Sequence, residues 1–313
     1  MAENSQTEQG NPVDTGADIG VDIGRVGLWT GAFNDVSSAE ARRWAAEAEE
    51  LGYGAIWIPE TVGRDPFILS TLILEATESI VMATGIANIY ARDAMTMSAG
   101  QKTIWEAFPG RFLLGLGVSH HTLVSWVRKH EYSKPYSHMV EYLAFMSKAL
   151  YLAPGPEQRP PTVLAALGPK MLKLAAESAD GAHPYLTTPE HTAAAREILG
   201  PDPLLAPEQM VVLETDPAAA REIARKHLKV YLSLPNYQNN LKRYGLDDSD
   251  FEDGGSDRLI DAVIAWGDEA AIAARVAEHH AAGADHVCVQ ALCAESAETP
   301  GVWRRLAPAL LEG

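Results

Sequence analysis

The stretch Gly115-Leu116-Gly117-Val118-Ser119-His120-His121 sets two glycines one residue apart and follows them with a hydroxyl and two imidazoles. Glycines at that spacing let a backbone approach a ligand closely, and Ser119 and His120 add polar groups at the same place. A second stretch, Leu167-Gly168-Pro169-Lys170-Met171, joins a glycine to a proline suited to the first turn of a helix. The unpaired amides of such a turn, the helix dipole and Lys170 together make an anion seat that suits a phosphate group. The ten histidines do not suggest a metal centre. His120 and His121 are adjacent, which points their side chains apart, and His279 and His280 fall on an outer amphipathic helix. No HxH or HxxxH pair sits at a strand end beside carboxylates. A serine hydrolase is disfavoured too, because no G-x-S-x-G occurs.

These segments need elements to hold them, and the chain supplies a regular alternation. Val26 to Trp29 reads as a strand, and Ser37 with Glu40 forms a capping box that opens the helix after it. Trp44, Ala48 and Leu51 recur at helical spacing before Gly52 stops the helix. Further strands are expected at 53–59, 80–86, 111–116, 162–166, 182–186, 210–214 and 285–290. Asp65-Pro66, Gly168-Pro169, Thr188-Pro189 and Asp216-Pro217 each read as a helix start just after a strand. Alternation of this kind forces parallel pairing, since each helix must cross back over the sheet. Eight strand–helix units in this length predict an α/β fold, a single-domain (β/α)8 TIM barrel. An open doubly wound sheet would show a glycine fingerprint in the first turn, and Trp29-Thr30-Gly31-Ala32-Phe33 is not one. Residues 233–262 break the rhythm and read as an insertion late in the barrel domain, 25–313. Residues 1–24 carry five acidic side chains and no Lys or Arg, and are expected to form a disordered acidic tail.

With 42 acidic and 25 basic side chains, the 313-residue chain has a formal charge of −17. That charge repels nucleic acid and anionic lipid, so neither is an expected partner. No apolar run reaches membrane-spanning length, and the start of the chain lacks the basic and apolar blocks of a secretory signal. Cys288 and Cys293 are the only cysteines, which reads as free thiols in a reducing, cytoplasmic setting.

Barrel enzymes place their chemistry at the C-terminal ends of the strands. That rule selects Thr30 and Phe33, Glu60 and Thr61, Ala87, Asn88 and Tyr90, Val118 to His121, Leu167 to Met171, and Tyr185 to Thr188. The order of several stretches along the chain resembles the bacterial luciferase-like family. They include Ala45-Ala46-Glu47-Ala48-Glu49-Glu50-Leu51-Gly52, Ala83-Thr84-Gly85-Ile86-Ala87-Asn88, Arg111 to Gly117, Ala165 to Met171, and Ala282-Gly283-Ala284-Asp285-His286-Val287. That family comprises flavin-dependent monooxygenases and oxidoreductases that use the deazaflavin coenzyme F420. Gly-Val-Ser-His after the fourth strand, with Tyr132-Ser133-Lys134-Pro135 beyond it, is similar to a mycobacterial-type F420 subgroup.

The resemblance implies an F420-dependent oxidoreductase acting on a small organic substrate. The alternatives are an FMN-dependent monooxygenase and a barrel that binds coenzyme without turnover. It implies a cis peptide at Gly85-Ile86 behind the ring, with Asn88, Val118 and Ser119 at the ring or side chain. Leu167, Gly168, Lys170 and Met171 would hold the phosphate end, with Arg64 and Arg92 as further candidates for the anionic tail. Relatives of this branch carry an Asp-His pair after strand two and a Glu after strand four. Here Glu60-Thr61 and His120 stand in those places. Glu60 is therefore expected at the ring edge and His120 as acid and base, since an imidazole titrates near neutrality. Trp29, Phe33, Thr61 and Tyr185 are expected to wall the substrate pocket, with Trp57 in the core. A homodimer is typical of the family.

Overall fold

Side-chain caps start most helices where the sequence places them. Ser37 Oγ accepts the Glu40 N–H while the Glu40 carboxylate accepts the Ser37 N–H, both at 3.2 Å, and α1 (Ser38–Glu50) follows. Asp65 accepts from the amides of Phe67 and Ile68 at the start of α2 (Pro66–Leu74), and Asp216 caps α7 (Pro217–Tyr231) in the same way. The computed structural model describes residues 19–312. The expected disorder of residues 1–18 lies outside them. Residues 19–24 are not a loose tail, because Ile23 is buried and packs with Ile19 and Val21 under Trp57 at the end of the sheet opposite the site.

The described residues hold an α/β fold in which a curled, wholly parallel sheet is wrapped by helices. Its strands are β1 (Val26–Trp29), β2 (Ala55–Ile58), β3 (Val81–Thr84), β4 (Ala87–Asn88), β5 (Phe112–Gly117), β6 (Thr162–Leu164), β7 (Gly181–Ala182), β8 (Leu204–Leu205), β9 (Glu208–Val212), β10 (Ile264–Trp266) and β11 (Val287–Ala291). They run in the order β10-β9-β11-β1-β2-β3-β5-β6-β7-β8, with β4 beside β5. Eleven strands replace the expected eight. The three unforeseen ones, β4, β8 and β10, have two or three residues each, too few for a periodic pattern. β8 and β9 are one extended run interrupted at Pro207, which has no N–H for a ladder. On one edge of that run, Ala206 and Glu208 donate to Ala182 and Pro184; on the other, its Leu205 and Pro207 carbonyls accept from Asp285 and Cys288. The sheet therefore turns back toward β11.

Around it, α1, α2, α3 (Ala94–Ala107), α4 (Pro135–Met146), α5 (Pro169–Ser178), α6 (Pro189–Leu199), α10 (Glu269–Ala281) and α11 (Thr299–Leu311) touch pairwise in a closed ring. The segment read as an insertion is helical rather than irregular. It contains α8 (Pro235–Lys242) and α9 (Asp257–Val263), and it packs with α7 on a second core that includes Tyr237, Leu241 and Leu259. Inside the sheet, Trp57 is fully buried and stacks on His183 with ring centroids 4.3 Å apart. Its Nε1 donates to His286 Nε2 at 3.2 Å. None of the helices is long and apolar enough to cross a membrane, among the described residues.

Candidate active site

The strand ends open into a cavity of about 1020 Å3. Trp29, Gly85, Ile86 and His183 lie at its base, where every one of them follows or ends a strand. Glycine is required at two points of this base. A Cβ on Gly85 would come within 2.5 Å of Trp29 Nε1, and one on Gly117 within 2.4 Å of Ile86 Cγ1. The Gly85-Ile86 peptide is cis, and Trp29 Nε1 donates to the Gly85 carbonyl at 3.2 Å. Val118, Ser119 and His120 leave β5 along the same wall. Ser119 has φ +55°, a left-handed backbone uncommon outside glycine, and its carbonyl accepts the Tyr132 hydroxyl at 3.2 Å.

His120 sits half-buried beside Tyr237, ring centroids 5.5 Å apart. Burial pulls its pKa below 6.5, opposed by a hydrogen bond to Asn236. The ring is thus neutral at pH 7 and able to take a proton. Glu60 lines the cavity, but its oxygens are already engaged. Oε2 accepts the Asn88 N–H at 2.8 Å and Arg92 Nη1 at 2.6 Å, and Arg128 Nη2 lies 3.5 Å from Oε1. It anchors two guanidinium groups rather than offering a free carboxylate.

Several expected site residues lie elsewhere. Phe33 is core, wedged between Trp44 and Trp303 at centroid distances of 6.4 and 6.3 Å. Its helical turn, Ala32–Asn34, rotates the ring inward, whereas Thr30 and Thr61 do face the cavity. Asn88 is fully buried off the cavity wall, its Oδ1 accepting the Tyr90 N–H at 2.9 Å. Arg92 is spent on Glu60 and Asp65, and Arg64 on the Val36 carbonyl. Leu167 and Met171 line the cavity, while Gly168 and Lys170 stand outside its wall and Lys170 is exposed. Gly168 begins α5 with no side-chain cap, and its own carbonyl accepts the Met171 and Leu172 N–H groups at 3.0 and 3.1 Å.

Other residues at the site went unforeseen. Tyr231, Asn236, Tyr237, His227 and Gln290 line the cavity. Outside its wall, Arg243, from the segment after α8, brings its Nη1 to 3.5 Å from where a Gly168 Cβ would be, at the start of α5. Tyr185 donates to Gln290 Oε1 at 2.9 Å, and the hydroxyls of Tyr185 and Tyr231 are 3.2 Å apart. Gln290 ends the last strand, so the strand-end rule would have found it. The α7 and α8 residues carry no motif of their own.

Residues 22–286 match the family described as luciferase-like monooxygenase. The chain belongs to that family. It is 25% identical over 258 residues to a 5,10-methylenetetrahydromethanopterin reductase of Methanolobus tindarius, covering 73% of this chain and 76% of that protein. Its fold is similar to that of an F420-dependent secondary alcohol dehydrogenase solved with an F420–acetone adduct. The TM-score is 0.75 at 15% identity, with 91% of this chain and 98% of the other covered. It is also similar to the oxygenating constituent of 3,6-diketocamphane monooxygenase of Pseudomonas putida, solved with FMN. There the TM-score is 0.68 at 15% identity, over 92% and 98% of the two chains. Members of the family are F420-dependent oxidoreductases and flavin monooxygenases, so an enzyme with a deazaflavin or flavin cofactor is the supported class.

Proposed function

We propose that the protein is an F420-dependent oxidoreductase that moves a hydride between the coenzyme and a small organic substrate. The observation that carries this reading is one wall with two complementary ends. At one end, Gly85 and Gly117 keep the base free of side-chain bulk where a flat ring would lie. At the other, the N-terminal end of the α5 dipole and the Arg243 guanidinium bring positive charge against a background of −17. The residues present fit a flat-ringed coenzyme with an anionic tail. Gly85, Ile86, Val118 and Ser119 would hold the ring, and Leu167, Gly168, Lys170, Met171 and Arg243 the phosphate end.

When bound, the coenzyme supplies the hydride donor or acceptor. The chain supplies the rest. His120, neutral and fixed by Asn236, takes or returns the proton on the substrate oxygen. Trp29 and Tyr185 exclude water from the base, and Glu60 with Arg92 and Arg128 stiffens the rim. We read the sheet as a closed eight-unit barrel with 233–262 inserted over its mouth. A homodimer belongs to the same proposal: Ile68, Met95 and Phe145 on neighbouring helices α2, α3 and α4 expose apolar side chains.

The test is a paired fluorescence titration with oxidised F420 and with FMN. Binding of F420 in preference to FMN is expected, and preference for FMN would move the protein to the monooxygenase branch, which the diketocamphane enzyme's fold keeps in view. His120→Ala is expected to keep F420 affinity and lose most turnover. Unchanged turnover would remove His120 from proton transfer.

A further inference from the structure

The cavity, at about 1020 Å3, stands at the upper end of the range of roughly 300–1,000 Å3 usual for a site holding one ligand. The space beyond the ring-holding base is walled by three tyrosines from three separate elements. Tyr185 follows β7, Tyr231 ends α7, and Tyr237 lies on α8. Their centroids are 5.4 Å (185–231), 5.7 Å (231–237) and 6.2 Å (185–237) apart, and Trp29 closes on Tyr185 at 5.1 Å. The rings pack against one another at these spacings and form a continuous aromatic wall on which a planar or alicyclic ring can lie.

The polar groups around the tyrosines are uncharged. Burial pushes the three phenols above their ordinary value, so they stay protonated. It pulls His120 down, and His227 to about 4, so both imidazoles stay neutral. Gln290 and Asn236 are amides. Glu60 is the one buried carboxylate on the wall, and Arg92 and Arg128 offset its charge. The charges that remain, Asp35, Lys226 and Glu295, are exposed at the mouth. An anion entering the chamber would shed water without meeting a free cation, which costs several kcal/mol.

We propose that this chamber selects an uncharged ring compound bearing a carbonyl or hydroxyl, and excludes carboxylate and phosphate analogues of the same shape. The inference rests on the oxidoreductase reading of the cavity and names the substrate class for it. Hydroxyl, imidazole and amide groups serve the substrate's single polar function, while the ring contributes through stacking.

Two isosteric probes test it: 4-acetylbenzamide, neutral, and 4-acetylbenzoate, anionic. Each is titrated into the full chain by quenching of tryptophan fluorescence, with and without F420. The amide is expected to bind roughly tenfold tighter or more, following from the unpaired-anion cost. Tyr231→Arg, which brings a cation to the chamber, is expected to abolish the preference, and Gln290→Lys provides the same change from a different element. Equal affinity, tighter binding of the carboxylate, or no binding of either probe at millimolar concentration would overturn the proposal. F420 affinity is read separately. Loss of F420 binding with the amide preference intact would refute the cofactor reading and leave the substrate class standing.

Discussion

Three of the four fully enclosed imidazoles, His191 being the fourth, are pushed far enough down by burial to make the fold acid-sensitive in a calculable way. His183 is 1% exposed, and His279 and His286 are 0% exposed. Each is wired as a neutral ring. His286 Nδ1 donates to the Gly24 carbonyl at 2.7 Å while its Nε2 accepts from Trp57, so a second proton would set two N–H groups face to face. His183 Nδ1 donates to the Ala206 carbonyl at 2.7 Å, leaving Nε2 without a partner. His279 lies between Thr192 Oγ1 at 2.8 Å and Gln209 Oε1 at 2.9 Å. Burial pushes His183 down to about 4 and the other two to about 3. An unfolded imidazole titrates near 6.5, so the unfolded chain takes up protons first. The stability is intact above that pH and is lost as the pH falls toward the folded values.

Between pH 7 and pH 5 each ring forfeits about 2 kcal/mol, or about 6 kcal/mol for the three. Glu208 works in the opposite direction. Burial raises it to about 8, so it is already protonated when folded. Its penalty shrinks by about 3 kcal/mol over the same interval as the unfolded carboxyl nears its own pKa. The net loss is about 3 kcal/mol, a large share of the 5–15 kcal/mol typical of a whole fold. Urea unfolding followed by tryptophan fluorescence should show a lower midpoint at pH 5 than at pH 7 with an unchanged slope. Coincident midpoints at the two pH values would refute the reasoning. His279→Gln, which keeps a donor toward Gln209, should remove about a third of the imidazole effect.

Three more outcomes are expected. Gly117→Ala should drive Ile86 into the cavity, costing about 1–3 kcal/mol of stability and weakening F420 affinity; unaltered affinity would show that the base does not hold the ring. Arg243→Glu should weaken F420 binding more than Lys170→Glu, because the Arg243 guanidinium lies at Gly168, the N-cap of α5; the reverse order in a titration would return the phosphate role to Lys170. Glu60→Gln should lower stability by about 2 kcal/mol, below the usual cost of breaking a buried pair because Arg92 keeps Asp65, with a fall in Tm of roughly 3 °C. Turnover lost at an unchanged Tm would mark Glu60 as a reacting group instead.

Much of the fold could be read from local signals because those signals are short-range. Ser37 with Glu40, Asp65 before Pro66, and Asp216 before Pro217 cap their helices without reference to anything distant. The base of the cavity was legible for a related reason. Gly85 and Gly117 are dictated by steric exclusion at strand ends, and glycine there is conspicuous. Phe33 misled because a single turn of 3-10 helix, invisible to pattern reading, decides which way its ring points. Asn88 misled because a strand end can point a side chain into the wall as readily as into the cavity. Tyr231, Tyr237 and Arg243 could not be found by periodicity, since α7 and the segment after it reach the site only through tertiary packing over the mouth.

β1 lies between β2 and β11, and His286 reaches across to the Gly24 carbonyl. One edge of the first strand therefore waits for a partner made some 260 residues later in the chain. During synthesis, every intermediate shorter than about residue 291 carries that open edge, a ready template for pairing with another chain. Release of the last strand from the ribosome is the event that removes it. Truncations that trim the C-terminal strand, and Gln290 of the cavity wall with it, should thus appear in the insoluble fraction of a cell before any effect on catalysis could be measured.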